Sequence, residues 1–281
     1  MIVSVYSRKG GVGKTTTAVN LAAALAELDL RVLLVDLDPQ GSASLSFGIE
    51  RADFAPSIAE VLLRSKSVAD VLRSSDVPGL DVITSSADLN LIESSMTGEK
   101  RPFEIVAKAL EPVREMYHFI LLDVAPNLGL LARAALVASD SFLVPTEPAF
   151  LSHEGVQNSI EIARRCCHQA GTRTNLAGVV VNRCRPNVAQ HQRVIESLRE
   201  QHGPDLLDNY IPSSMAITEA PANGQPVTVD SPASEAAEAY RLVASELCQR
   251  SGVELSELHA VASNDDRSGT SWVSPFPDSA N

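Results

Sequence analysis

A short apolar run, Ile2–Tyr6, passes directly into Ser7-Arg8-Lys9-Gly10-Gly11-Val12-Gly13-Lys14-Thr15-Thr16-Thr17, and the pattern that follows is helical. No other stretch constrains the chain so tightly. Glycines let a backbone curl until successive N–H groups and the N-terminus of the next helix point at one anion. In that setting Lys14 is placed to reach the β- and γ-phosphates of a nucleotide and the Thr15 hydroxyl to contact Mg²⁺, with Gly10, Gly11, Val12, Gly13 and Thr16 completing the cradle. Because the motif follows a strand and opens a helix, it meets the structural context such a loop requires.

The rest of the 281-residue chain fits this beginning. Runs rich in Val, Ile and Leu recur at Arg31–Val35, Leu80–Ile83, Phe119–Leu122, Ser141–Val144 and Leu176–Val181. They are nearly continuous rather than alternating, as suits strands covered on both faces. Between them, Thr16–Leu28, Phe103–Tyr117, Leu128–Ala138, His153–Ala170, Val188–Gln201 and Ala233–Arg250 carry apolar residues at helical spacing. The pattern predicts an α/β fold with a single doubly wound, mostly parallel sheet flanked by helices. One boundary is expected: an ATPase-type domain over residues 1–258, then a disordered acidic tail over 259–281, where Trp272 and Phe276 are the residues a docking peptide would use.

The loop departs from GxxxxGK[ST], since Arg8 stands where glycine belongs and a further lysine, Lys9, precedes the paired glycines. A lysine on the entering limb is badly placed for the γ-phosphate in its own cradle but can reach one in a facing subunit. At this point the sequence resembles the deviant Walker A motif, K-G-G-x-G-K-T-T, of the ParA/MinD family of dimerising P-loop ATPases.

Acidic groups stand where such a site needs them. Arg31–Val35 delivers Asp36-Leu37-Asp38-Pro39-Gln40-Gly41 to the carboxyl edge of the sheet, where ligands bind in doubly wound folds. Hydrolysis of a phosphoanhydride needs chiefly positioning and charge neutralisation, so a carboxylate beside the γ-phosphate suffices. Asp38 is assigned that role, and the string looks like the family's switch I, whose second aspartate orients the hydrolytic water. Asp123, closing the apolar run Phe119–Leu122, takes the Walker B place at the Mg²⁺ site with Thr15 and Asp38. Relatives typically continue D-x-P-P, whereas this chain has Asp123-Val124-Ala125-Pro126, one constraint fewer. After Gly178–Val181, Asn182-Arg183 resembles the family's adenine-contacting motif, an amide offering both donor and acceptor. Pro212, in Tyr210-Ile211-Pro212, resembles the segment that closes over the base. Similarity extends over Pro145–Pro148 and Glu154-Gly155, and covers about residues 1–250.

The resemblance implies a switch. ATP with Mg²⁺ makes a homodimer in which each Lys9 touches the other subunit's nucleotide, and hydrolysis, slow alone and stimulated by a cargo-linked partner bearing a basic segment, takes it apart. Lys9, Lys14 and Asp38 are then the catalytic residues. The ParA branch binds DNA without sequence preference and moves a plasmid, chromosome or protein complex over the nucleoid in the cytoplasm. The chain is acidic overall, with 23 basic against 35 acidic residues and a net charge of −12, so a DNA surface has to be local. Between Ile162 and Ile195 no acid interrupts six arginines, and Arg164, Arg165, Arg193 and Arg199, joined by Arg241 and Arg250, form the candidate footprint.

Other classes fit less well. A MinD-like membrane switch needs a basic amphipathic C-terminal helix, whereas the chain from Glu254 onward has five acids and one arginine. A nitrogenase-type reductase needs cysteines beside the switch strands; Cys166, Cys167, Cys184 and Cys248 lie elsewhere and at no metal spacing. ATP-dependent ligases or amidotransferase-linked synthetases share the loop but call for a further polar substrate pocket.

Overall fold

The computed structural model describes residues 1–95 and 101–253, so the tail expected over 259–281 lies outside the described residues. Seven strands form one sheet in the order β3-β4-β2-β5-β1-β6-β7. They are β1 (Ile2–Val5), β2 (Val32–Asp36), β3 (Leu72–Ser74), β4 (Leu80–Ile83), β5 (Phe119–Asp123), β6 (Ser141–Thr146) and β7 (Asn175–Val181). All neighbours run parallel except β3 against β4. The continuous apolar runs are explained by cover on both sides. Alternate residues of one strand enter opposite cores, Ile2 and Leu33 on one face and Val3 and Leu34 on the other.

The helices are α1 (Lys14–Ala26), α2 (Ser42–Leu45), α3 (Ile58–Leu62), α4 (Leu89–Ser95), α5 (Ile105–Leu110), α6 (Leu130–Ala138), α7 (Ser152–Gln169), α8 (Ala189–His202), α9 (Met215–Glu219), α10 (Val227–Asp230) and α11 (Glu235–Arg250). α1 and α11 pack together over one face, whereas α5, α6, α7 and α8 send side chains into the core of the other. α1 is alanine-rich and almost wholly buried, which lets it lie close against the sheet.

The helix expected over Phe103–Tyr117 is broken. A turn of 3₁₀ helix covers Pro102–Glu104, α5 ends at Leu110, and Glu111–Met116 is again 3₁₀. Pro112 explains the break: it has no N–H to donate and its ring crowds the carbonyl four residues back. Short α3 escapes a periodicity search, although its capping box is explicit, with Ser57 accepting from Ala59 N–H and Glu60 accepting from Ser57 N–H.

One polar contact sits deep in the fold. Asp81 on β4 is fully buried; the Tyr117 hydroxyl donates to its Oδ2 at 2.7 Å, and Oδ1 has no hydrogen-bond partner. Burial pushes the Asp81 carboxyl above its ordinary value, with the Tyr117 hydrogen bond pulling the other way. Because the folded value is the raised one, this site favours the fold below the ordinary carboxylate range and loses that contribution as pH climbs through the raised value. Tyr117→Phe is expected to destabilise by about 1–3 kcal/mol in urea unfolding at neutral pH. The loss should shrink in acid, where the carboxyl is neutral in both proteins.

Candidate functional site

β1 ends in a loop that contains two left-handed glycines, Gly11 (φ 78°) and Gly13 (φ 86°). Gly13 is the N-cap of α1 and no side chain caps that end, so the first-turn N–H groups of Lys14, Thr15 and Thr16 open onto a cleft of about 370 Å³. Space forbids any other residue at position 13, since a Cβ there would stand 2.7 Å from Asn182 Nδ2. The cleft is lined by Gly11, Gly13, Lys14, Thr15, Thr16 and Asp38, all of them singled out by the sequence.

Lys14 is 7% exposed, and its ammonium donates to the Lys9 carbonyl at 3.4 Å. Burial lowers its pKa, while Asp123 and Asp38 favour its charge. A desolvated cation with one long hydrogen bond, aimed into a bed of free N–H groups, is suited to a polyanion.

The carboxylates divide by environment. Asp36 and Asp123 are register partners at the carboxyl ends of β2 and β5, and both are fully buried. Asp36 is satisfied internally: Oδ2 accepts from Ser44 N–H at 2.9 Å and Ser44 Oγ at 2.8 Å, and Oδ1 from Asp38 N–H at 3.2 Å. Burial still lifts it to about 6. Asp123 has no such relief. Neither of its oxygens has a hydrogen-bond partner, and burial, then repulsion from Asp36, raises its pKa well above the ordinary value, with Thr15 and Lys14 pulling downward. Unsatisfied oxygens beside a threonine hydroxyl form a hard-oxygen donor set that fits a hydrated Mg²⁺. Asp38, half-exposed at the cleft, accepts from Gln40 N–H at 2.9 Å and is free to face a ligand.

Asn182 stands where β7 ends and lines a second cavity, of about 290 Å³, together with Pro212 and Tyr240. Its amide is divided in use. Nδ2 donates to the Val12 carbonyl at 2.8 Å and lies 3.0 Å from Thr17 Oγ1, whereas Oδ1 is buried without a partner. The reading of Asn182 as both donor and acceptor to a base meets a constraint: its two N–H groups hold the phosphate loop, and its oxygen is buried. Pro212 is positioned by a parallel bridge to Cys184, through Cys184 N–H to Ile211 O at 2.9 Å and Ser213 N–H to Cys184 O at 2.8 Å. Arg183, at φ 53°, is held by an ion pair of 2.6 Å to Glu147.

Several contributors carry no motif. Ser85 Oγ donates to the Asp38 carbonyl at 2.5 Å and Ser85 N–H to Ser44 Oγ at 3.2 Å, tying the loop after β4 to the Asp36–Asp38 turn. Asn20 accepts from Val227 N–H at 2.7 Å, and Pro221 and Gln225 line the cleft from the same late loop. No sequence motif assigned these roles to Ser44, Ser85 or Asn20.

The arginines do not form one face. Arg164 and Arg165 on α7 and Arg193 on α8 are exposed, and none makes an ion pair among the described residues. Arg199, also on α8, is paired to Asp208 at 2.9 Å. Arg241 belongs to α11, on the opposite face of the sheet, where Glu27 holds it at 2.7 Å; Arg250 is bound to Glu246 and to the carbonyls of Pro204 and Leu206. The last helix thus drops out of the expected footprint.

Comparison with known proteins places this geometry. Residues 1–177 match the family described as AAA domain. The chain is 34% identical to the sporulation initiation inhibitor protein Soj of Bacillus subtilis over 88% of its length and 97% of that protein's. With the chromosome partitioning protein ParA of Caulobacter vibrioides it shares 33% identity over 89% of its own length and 94% of that protein's. Among solved structures, apo McdA of Cyanothece superposes with a TM-score of 0.78 at 22% identity, covering 88% of this chain and 98% of that one. Cobyrinic acid a,c-diamide synthase of Mycobacterium smegmatis, with an ATP analogue and magnesium bound, gives 0.74 at 25% identity over 96% and 97%.

Asp123→Asn separates the chemistry of the site from its stability. Without nucleotide the variant should be about 1–3 kcal/mol more stable than the parent, because an unpaired buried carboxylate has gone. Its nucleotide affinity, measured by calorimetry, should no longer rise when Mg²⁺ is added.

Proposed function

Since this chain belongs to the ParA/MinD family of P-loop ATPases, we propose that it is a partition or positioning switch whose ATP-bound form is a homodimer. Nucleotide and Mg²⁺ occupy the cleft between the Gly10–Lys14 loop and Asp38, with Thr15 and Asp123 at the metal and Asn182 and Pro212 around the base. Hydrolysis releases ADP and phosphate, and Asp38 positions the attacking water.

The observation that carries this reading concerns Lys9. Its side chain is exposed, makes no hydrogen bond or ion pair among the described residues, and is absent from the walls of its own cleft. Its carbonyl receives the Lys14 ammonium, which ties the Lys9 backbone to the loop while the side chain stays unengaged. A cation held beside a phosphate site that it does not line is suited to a triphosphate on a facing copy. The γ-phosphate then favours the dimer because only the dimer brings Lys9 to it, and hydrolysis removes that differential contact.

On the DNA side, the reading rests on Arg164, Arg165 and Arg193, which share one helical layer and make no ion pair among the described residues. A few phosphate contacts of this kind give sequence-independent, salt-sensitive binding, and dimerisation doubles them. The activating partner, linked to the cargo, is expected to present a basic segment to this acidic protein, and the working place of the dimer is the nucleoid. No helix of the described residues is long and apolar enough to cross a membrane.

Sedimentation with a non-hydrolysable ATP analogue tests the central claim: the parent should dimerise and Lys9→Ala should remain monomeric while still binding nucleotide. Asp38→Ala should stay dimeric with ATP and turn over about a hundredfold more slowly, as expected when an oriented water loses its carboxylate. A parent that stays monomeric at saturating analogue would end the reading.

DNA binding has its own readout. Arg193→Ala should weaken ATP-dependent binding to random-sequence duplex and lower the slope of log K against log salt by about 1 for each DNA phosphate that is no longer neutralised.

A further inference from the structure

Away from the nucleotide cleft, the linker that follows α3 and the helix α5 enclose a groove of about 710 Å³. Its floor is apolar, built from Leu62, Val68, Ile105 and Val113. The mouth is basic, with Arg64, Lys66 and Lys108 at the rim. Asp70 lines the same groove and Glu60 stands near it, each hydrogen-bonded to a serine, and Glu104 takes up Arg101 and Lys108, so Arg64 and Lys66 are the rim cations that make no ion pair among the described residues. An apolar trough with cations at its lip fits an acidic segment that carries aromatic side chains.

The chain supplies such a segment. Residues 254–281 contain Glu254, Glu257, Asp265, Asp266 and Asp278 against a single Arg267, together with Trp272 and Phe276, the latter flanked by Pro275 and Pro277. Reach suffices. The described residues end at Val253, packed in the core beneath α11, and the seven-strand sheet between it and the groove is about 30 Å wide at 4.8 Å per strand. At roughly 3.3 Å per residue, an extended chain spans about 40 Å from Val253 to Asp265 and about 60 Å to Trp272. We propose that this tail docks on its own domain in the α3–α5 groove, with Trp272 and Phe276 on the apolar floor and Asp265 and Asp266 against Arg64 and Lys66. The proposal is independent of the nucleotide reading, because the groove shares no wall with that cleft.

Trp272 is the only tryptophan in the chain, so its fluorescence reports the tail directly. In the full-length protein its emission should lie at shorter wavelength than in a synthetic peptide of residues 254–281. Acrylamide should quench it severalfold less, and neither quantity should change on dilution of the protein. Arg64→Glu combined with Lys66→Glu should return emission and quenching to the peptide's values, with the far-ultraviolet circular dichroism and melting temperature of the domain unchanged. High salt should act in the same direction on the parent. Emission and quenching equal to those of the free peptide would overturn the proposal. So would a shielded Trp272 that ignores both charge reversals, or shielding that vanishes on dilution and therefore comes from a second copy.

Discussion

An ammonium and two carboxylates are buried together at the carboxyl edge of the sheet, and the arrangement of the site follows from how incompletely they satisfy one another. Lys14 is desolvated with a single long hydrogen bond; Asp36 and Asp123 face each other across adjacent parallel strands. Asp36 is relieved by three donors, whereas Asp123 has none. Charges left in this state are costly in a medium of low dielectric. A bound polyanion supplies what Lys14 and the open helix terminus lack, and a divalent cation supplies what Asp123 lacks. Ligand binding and the relief of buried charge are thereby the same event.

The turn from Asp36 to Gly41 translates that event into the neighbouring backbone. Ser44 bonds Asp36, Ser85 bonds both Ser44 and the Asp38 carbonyl, and the Phe54 ring covers Gly41 so closely that no side chain fits there. On the far side, Gly224 meets Gly48 where a Cβ would stand 2.7 Å from the Gly48 Cα, and Asn20 pins the start of α10 to α1. Segments distant in sequence therefore close around the nucleotide cleft through serines, an asparagine and glycines rather than through charged groups.

Much of this is legible in the sequence, for definite physical reasons. Six strands and the long helices announce themselves because both faces of the sheet are covered, which forces unbroken apolar runs and full-length amphipathic periods. The phosphate loop is legible because backbone curvature at Gly11 and Gly13 admits so few residues. What escapes is set by partners far along the chain. The edge strand β3 is three residues long and half-exposed, so it carries no pattern. Pro112 is visible, yet its breaking of the helix after Leu110 is masked by the surrounding apolar spacing. Ser44 and Ser85 are ordinary serines until Asp36 and Asp38 are folded against them. The arginines added from the last helix mislead for the same reason: a sequence does not say which layer a helix joins, and Arg241 lies on the opposite face of the sheet from α7 and α8.

The divided amide of Asn182 links two tasks usually described separately. Val12 O can only accept, so the Asn182 nitrogen must face inward, where it also meets Thr17, and the oxygen is buried without a partner. Turning the amide over would release Val12 and Thr17 together and loosen the phosphate loop from behind, so the conformation of one side chain in the neighbouring cavity and the curl of that loop are held by the same pair of N–H groups.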